Sequence, residues 1–268
     1  MTILVLAATG KTGRRVVARL RADGVPVRAA SRTGETPFDW TKRDTWADAV
    51  HDVEAVYLVA PDDPEPIEAF VRQAVAAGVR RIVVLSGRGM DQAAGRFGAG
   101  MAEAERVVRA SGAEWTILQA NNFMQNFSED LWHEPVLAGR LALPAGELRE
   151  PFVDLEDVAD VAVAVLTSDG HHGRTYALSG PEALTFAEAV AAIGKVDGRS
   201  IEYVALSPAE YRAELLDLGW PDEVADEFNA LFEIMHEGHL AEPADDIDRL
   251  LGRPAGSFAG YADRVWAG

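Results

Sequence analysis

An apolar run at the amino terminus leads directly into a glycine turn and then a helical pattern, and this order constrains the fold more than any other feature. The run Ile3–Ala7 contains no polar residue, which is typical of a parallel strand covered on both faces. The turn Thr9–Gly13 follows at once, and residues 12–23 then place apolar side chains at helical spacing until Gly24. This succession predicts the opening unit of an α/β sheet.

The same alternation continues through the first half of the chain. Further strands are predicted at Val25–Ala30, Ala55–Ala60, Arg81–Ser86 and Trp115–Gln119. Helical patterns separate them at Asp44–Val50, Pro66–Ala77 and Ala99–Ser111. Because connections between parallel strands are right-handed, this order predicts a doubly wound parallel sheet with helices on both faces.

The rhythm changes after about Asn121. Short strands are predicted at Leu141–Pro144, Arg174–Ser179 and Ile201–Leu206, and helices at Asp154–Thr167, Thr185–Ile193, Pro208–Leu218 and Asp222–Glu237. We expect residues 1–130 to form a dinucleotide-binding Rossmann core. Residues 131–268 are expected to add the remaining elements and a small C-terminal lobe on the substrate side, packed with the core as one unit.

Composition excludes several classes of protein. The 268 residues carry 25 basic and 43 acidic side chains, a formal charge of −18, whereas nucleic-acid binders normally present a basic face. Cysteine is absent, which rules out disulfides, thiolate metal sites and a cysteine nucleophile. No apolar run is long enough to span a membrane. With no basic leader or cleavage site after Met1, we expect a cytoplasmic protein without a signal peptide. Whether the protein forms a homodimer stays open.

The glycine turn has three interpretations. In a dinucleotide fingerprint, Gly10 lets the backbone approach the diphosphate and Gly13 lets the helix lie close to the strand. The first glycine of that pattern is missing; Ala7 or Ala8 replaces it, which is acceptable if that residue keeps a negative φ. A P-loop is disfavoured because Val5 stands where it requires glycine, and a turn that serves only the fold remains open. The cofactor-binding residues predicted here are Ala8, Thr9, Gly10, Lys11, Thr12 and Gly13.

The end of the second predicted strand indicates which cofactor is bound. NAD-binding proteins place an acidic residue there for the ribose hydroxyls, whereas this chain has Ser31 followed by Arg32. A guanidinium suits the 2′-phosphate of NADPH, although a solvated surface arginine is the alternative. Asp39 follows where the chain passes the adenine and is predicted to accept from its amine, with a simple loop acid left open.

Three segments resemble the NmrA-like group of atypical short-chain dehydrogenase/reductases. They are Ile3–Gly13, Val83–Gly87 and above all Ala113–Phe127, and Pro151–Ala159 is similar to a later segment of that group. The likeness covers roughly residues 1–200. It implies that Ser86 and the segment Asn121–Phe127 border the nicotinamide and the substrate, and that Ala60 and Pro61 line the cofactor at their strand end.

A catalytic pair common in short-chain dehydrogenases is missing. These enzymes use a tyrosine followed four residues later by a lysine, and none of the five tyrosines here has that lysine. Related isoflavone reductases carry a lysine at a position that looks like Met101 in this chain. Reduction of a quinone gives a stabilised aryloxide and reduction of an iminium needs no proton, so such substrates do not depend on a strong acid.

We therefore expect an NADPH-dependent reductase of a quinone-like or otherwise activated conjugated small molecule. Its apolar slot is predicted to consist of Phe123, Met124 and Phe127, with Trp132 as a further candidate, while Asn121 or Asn122 donates to a substrate oxygen. A non-catalytic regulator that senses NADP(H) is the main alternative, and a non-redox isomerase or cyclase is a third.

A metal site is not expected. His236 and His239 are three residues apart, whereas the zinc-protease pattern requires four, and no second cluster supplies the remaining ligands. His133 follows the predicted slot and is a weaker candidate for a proton donor, while His171 and His172 are expected in a solvated loop. The acidic stretch Glu242–Asp248 is expected to be a solvated face or a helix cap.

Overall fold

A parallel sheet of seven strands forms the centre of the molecule. The computed structural model describes residues 1–93, 95–238 and 240–267. The strands within this part are β1 (Ile3–Val5), β2 (Val27–Ser31), β3 (Thr36–Pro37), β4 (Ala55–Val59), β5 (Arg81–Gly87), β6 (Glu114–Ala120), β7 (Arg140–Leu143), β8 (Arg149–Glu150), β9 (Arg174–Leu178), β10 (Leu184–Thr185) and β11 (Glu202–Ala205).

The order of strands in the sheet is β3-β2-β1-β4-β5-β6-β9, and every neighbouring pair is parallel. Strand β1 lies between β2 and β4, so the direction of winding reverses there and leaves a crevice at the carboxyl ends of the strands. The doubly wound fold is thus confirmed. The short strand β3 was not predicted, because its two residues carry no alternating pattern.

Helices cover both faces of the sheet. Their bounds are α1 (Lys11–Ala22), α2 (Trp46–Val50), α3 (Glu65–Ala76), α4 (Met90–Ala93), α5 (Ala99–Ala110), α6 (Asn126–Glu129), α7 (His133–Leu137), α8 (Leu155–Thr167), α9 (Phe186–Asp197), α10 (Pro208–Asp217), α11 (Asp222–His236), α12 (Asp246–Leu251) and α13 (Phe258–Trp266). Apolar stripes of α1 and α8 pack on one face, and those of α2, α3 and α5 pack on the other. In the part of the chain that the structure describes, none of the helices combines the length and hydropathy needed to cross a bilayer.

A third hydrophobic cluster joins the segment after β6 to the later helices α9, α10, α11 and α13. Two small sheets border it: β8 pairs antiparallel with β10, and β7 pairs parallel with β11. In the acidic stretch, Glu242, Asp245 and Asp248 are exposed and Asp245 stands at the N-cap of α12, as expected, whereas one acidic residue is buried. Asp246 is buried at the start of α12 and accepts a hydrogen bond of 2.8 Å from the backbone of Ala177 on β9.

Candidate functional site

Two depressions lie at the carboxyl edge of the sheet. The larger is a cavity of about 410 Å³ above the ends of β4, β5 and β6, and the smaller, about 290 Å³, lies beside the glycine turn. Ala8, Thr9, Arg14, Ala29 and Gly34 are among the residues that line the smaller one. Both positions follow from the winding of the sheet, because ligands of such folds bind where the strand order reverses.

The glycine turn is tightly built around Ala7. The amide of Gly10 donates to the carbonyl oxygen of Ala7 at 2.8 Å. Ala7 has φ +49°, so the condition of a negative φ is not met at this residue. The left-handed conformation costs a residue with a Cβ about 1–2 kcal/mol, and the surrounding strand and helix compensate for it.

Glycine at position 13 brings α1 against the turn. A Cβ on Gly13 would lie 2.2 Å from the Ala7 oxygen and 2.9 Å from the Ala8 Cα. The amides of Lys11, Thr12 and Gly13 precede the first intrahelical hydrogen bond, which runs from Arg14 to Gly10. This backbone cradle presents donors and the positive end of a helix, and it fits a diphosphate.

The end of β2 lies beside the smaller depression. Ser31 is buried and its Oγ has no partner among the described residues, and Arg32 follows it as an exposed side chain. An exposed guanidinium can bind a phosphate placed there, and the Ser31 hydroxyl has no competing partner. This pair therefore fits the extra phosphate of NADPH.

Asp39 is engaged by its own loop. Its Oδ1 accepts hydrogen bonds from the backbone amide of Thr41 at 2.9 Å and from the Thr41 hydroxyl at 2.8 Å. These bonds, with smaller contributions from Lys42 and Arg32, hold the pKa of Asp39 below its ordinary value. The neighbouring Trp40 packs edge-on against Phe38 at 5.1 Å. In the structure, Asp39 shapes the loop in which the adenine contact was predicted.

The larger cavity brings together residues that the sequence placed at separate strand ends. Lys11, Ala60, Pro61, Ser86, Asn121, Asn122 and Phe123 all line it. Ser86 is buried at the end of β5, and its Oγ has no hydrogen-bond partner in the described structure. An unpartnered buried hydroxyl on a cavity wall is a group that a ligand can satisfy.

Two predicted slot residues lie in the core instead. Met124 and Phe127 are 1% and 0% exposed. The Phe127 ring packs against Phe152 and Phe258 at 5.3 and 5.4 Å. The backbone turns after Phe123, so Phe123 faces the cavity while the next side chains point into the third hydrophobic cluster. Met124 and Phe127 therefore do not line the slot as expected, because their side chains are buried in the core. Trp132 does line the cavity.

The apolar wall of the cavity comes largely from segments that sequence reasoning did not connect with the site. It is formed by Phe97, Met101, Trp220, Phe228, Leu231 and Phe232. The last three lie on α11 at spacings of three and four, a signal that marks an apolar helix face without saying what it covers. Met101 also lies on this wall. It occupies the position for which the family resemblance implied a lysine in the isoflavone reductases.

Lys11 reaches across the crevice from the glycine turn. Its Nζ donates to Asn126 Oδ1 at 2.9 Å, forms an ion pair with Asp130, and lies 5.5 Å from the centre of the Phe123 ring. Both partners sit at or after α6, in the segment that follows β6. This side chain therefore connects the predicted cofactor site with the predicted substrate segment.

A buried carboxyl at the floor of the cavity was missed. Glu150 on β8 is 1% exposed and lines the cavity. Its Oε1 accepts hydrogen bonds from the backbone N–H of Asn122 at 2.8 Å and from Asn121 Nδ2 at 3.0 Å. Its Oε2 has no hydrogen-bond partner in the described part of the chain. Burial raises the pKa of Glu150, against the opposing effect of these hydrogen bonds and of Arg88. A single glutamate in a two-residue strand carries no sequence signal.

None of the histidines in the described part of the chain lines the cavity. His236 makes a hydrogen bond with the Pro144 carbonyl at 2.9 Å, and His239 lies outside the described residues. His133 packs beside Trp266 and is not part of the cavity lining. His171 contacts the Tyr176 hydroxyl at 2.8 Å, so it is less solvated than expected. Over residues 1–93, 95–238 and 240–267, no group of three acidic or histidine side chains is placed to hold a metal ion.

Comparison with known proteins agrees with this architecture over nearly the whole chain. A model of the NmrA-like family matches residues 1–258. The chain is 36% identical to the (4-alkanoyl-5-oxo-2,5-dihydrofuran-3-yl)methyl phosphate reductase of Streptomyces griseus subsp. griseus, and 31% identical to an NAD(P)H azoreductase of Xenophilus azovorans. Each alignment covers 97% of this chain and 96% of the relative.

A solved structure shows the same fold. The NADPH-dependent quinone oxidoreductase of Escherichia coli superposes with a TM-score of 0.80 at 23% sequence identity, over 98% of this chain and 99% of that one.

Proposed function

This chain belongs to the NmrA-like family, and we propose that it is a reductase that transfers hydride from NADPH to a conjugated, quinone-like small molecule. The observation that carries the proposal is the shared cavity. Residues of the predicted cofactor site and a wall of aromatic and aliphatic side chains line the same space of about 410 Å³. A site of that size with an apolar wall and few polar groups suits a small, flat ligand.

The cofactor would be held along the carboxyl edge of the sheet. The amides at the start of α1 bind the diphosphate, and Ser31 and Arg32 bind the 2′-phosphate. Ala60, Pro61 and Ser86 line the continuation of the path into the larger cavity. Bound NADPH supplies a hydride. The NADPH-dependent and NAD(P)H-dependent proteins among the similar ones support this assignment.

The substrate would lie under the apolar wall. Phe123 and Phe228 provide surfaces for stacking, and Asn122 stands at the end of β6 beside them. No tyrosine lines the cavity within the described residues, and Lys11 is already paired with Asp130. Such a site positions a substrate that is already activated by conjugation. The names of the similar proteins, an azoreductase and a quinone oxidoreductase among them, support this class.

A stopped-flow experiment tests the proposal. NADPH absorbance is followed after mixing with menadione, cyclohexenone or the N-methyl-dihydroisoquinolinium iminium, each at several concentrations. We expect at least one of them to accelerate NADPH oxidation with saturation kinetics. If NADPH binds and no member of the panel is reduced, the reductase is excluded and the non-catalytic sensor is favoured.

A further inference from the structure

The buried carboxyl of Glu150 has one oxygen that the protein uses and one that it leaves free. Oε1 accepts two N–H donors, from the Asn122 backbone and the Asn121 side chain. Oε2 is buried and makes no hydrogen bond among the described residues, although the side-chain amide of Asn122 is a nearby donor that also lowers the pKa of this carboxyl. Unpaired buried polar atoms are rare and costly in folded proteins. Because Glu150 also lines the cavity, a ligand that enters the cavity could supply the hydrogen-bond partner of Oε2.

The neighbours of Glu150 keep the carboxyl in place in either protonation state. Asn121 is itself held, because its Oδ1 accepts from Arg88 at 3.1 Å and its Nδ2 also donates to the Leu240 carbonyl at 3.2 Å. With Oε1 occupied as an acceptor, the proton of the neutral acid belongs on Oε2. Burial favours that neutral acid, since it raises the pKa of Glu150.

From this geometry we infer that Glu150 is the proton donor of the site, and that its Oε2–H contacts the oxygen of a conjugated carbonyl substrate. The inference rests on the proposed reductase function. It supplies the acid that the missing tyrosine and lysine would otherwise provide, and it extends the substrate class from quinones to enones.

The hydride pair adds to the carbonyl carbon or to its conjugated position, and the π electrons move to the carbonyl oxygen. That oxygen takes the proton from Oε2 as the O–H bond of Glu150 breaks. The resulting carboxylate keeps its two N–H donors and lies in the field of Arg88, and it regains a proton from water after the product leaves. NADPH and one proton are consumed for each substrate reduced.

The loss of rate in the absence of the Glu150 acid should increase with the basicity of the oxygen anion that hydride addition forms. Cyclohexenone gives a strongly basic enolate and needs the acid most. Menadione gives an aryloxide with a pKa near that of a phenol, about 10, and needs it less. The N-methyl-dihydroisoquinolinium iminium forms no anionic oxygen and needs no proton.

The variant Glu150→Gln tests this order. Glutamine preserves the shape and can still accept from Asn121 and Asn122, but it has no acidic proton to transfer. We expect kcat to fall about 10²–10⁴-fold with cyclohexenone, to fall less with menadione, and to stay unchanged with the iminium, with the affinity for NADPH preserved. Glu202→Gln, on the exposed side of β11, is the matched control.

Two other readouts do not depend on turnover of the variant. Infrared difference spectra of the proteins without cofactor, wild type minus Glu150→Gln over a pH series, should show a protonated carboxyl band that persists above the ordinary range of a glutamate. For the wild type alone, the rate with cyclohexenone should fall as pH rises through the pKa of Glu150, while the rate with the iminium should not. The other charged side chains on the cavity are Lys11, Asp62, Arg88, Asp130 and Glu227, and the profile of Glu150→Gln separates Glu150 from them.

Equal losses with all three substrates, or a loss of NADPH affinity, would show that Glu150 only supports the fold and would overturn the inference. Wild-type rates in Glu150→Gln would overturn it as well. If that variant does not fold, the wild-type pH profiles decide: identical profiles for cyclohexenone and the iminium contradict the inference. A wild type that binds NADPH and reduces no substrate removes the proposed function and this inference with it, which distinguishes the two failures.

Discussion

The absence of a side chain at Gly13 is what allows α1 to begin directly behind the carbonyl of Ala7. A Cβ on residue 13 would lie 2.2 Å from the Ala7 oxygen, well inside van der Waals contact. That carbonyl also accepts the Gly10 amide that closes the turn. The close approach therefore fixes where the free amides at the start of α1 point.

Gly13→Ala should disturb this turn. We expect a loss of about 1–3 kcal/mol in the free energy of unfolding, because backbone must move to relieve the contact, and a marked loss of NADPH affinity. Chemical denaturation and calorimetric titration measure the two effects. Gly260→Ala on α13 is the control, since its Cβ would meet only the Ser257 hydroxyl at 3.3 Å. Unchanged NADPH affinity in Gly13→Ala would contradict the role of the turn.

Arg32→Ala should weaken the binding of NADPH and leave that of NADH nearly as it is. Hydrogen bonds to charged groups contribute about 1.5–3 kcal/mol, so the dissociation constant for NADPH should rise about 10- to 100-fold. Competition titrations at fixed ionic strength measure both cofactors. Arg72→Ala, an exposed arginine on α3, serves as the control for a general charge effect. An equal loss of affinity for NADPH and NADH would show that Arg32 does not bind the 2′-phosphate.

Phe123→Ala and Phe127→Ala should separate the cavity from the core. Phe123 lines the cavity, so its loss should raise KM for menadione while the stability changes little. Phe127 is fully buried, and truncation of such a ring costs about 3–5 kcal/mol. Thermal unfolding and steady-state kinetics on both variants distinguish the effects. A large rise in KM without loss of stability in Phe127→Ala would show that Phe127 lines the substrate slot.

Glu150→Gln should change how stability depends on pH. A folded-state pKa raised above the unfolded value, about 4.3 for glutamate, contributes stability that is present below that value and is lost as pH rises toward the folded pKa. The wild type should therefore lose stability relative to Glu150→Gln as pH rises, by up to about 1.4 kcal/mol per unit within that window. Urea denaturation at several pH values measures it. A constant difference across pH 4 to 8 would show that the carboxyl is not raised.

The sheet could be predicted because its signals are local. Apolar runs, glycine stops and the turn before Gly13 each act over a few residues, and the strand Arg174–Leu178 was recognised even though its place at the sheet edge was not. The site edges at Ala60, Ser86 and Asn121 were implied by the family resemblance, and they agree with the rule that ligands bind at strand ends.

The rest of the site depends on contacts that local patterns do not contain. Phe123 and Phe127 share one aromatic segment, and only the turn between them decides which faces the cavity. The wall on α11 comes from a helix more than 100 residues after the strands it covers, and Glu150 joins Asn121 across 29 positions. Such placements are set by tertiary packing, which overrides local preference.

Calorimetric titration of the wild-type protein with NADPH and with NADH tests the central claim most directly. The backbone cradle at Gly10 and Gly13 together with Arg32 predicts saturable binding of NADPH, about 10- to 100-fold tighter than that of NADH. No association of NADPH at millimolar concentration, or equal affinity for the two cofactors, would contradict it.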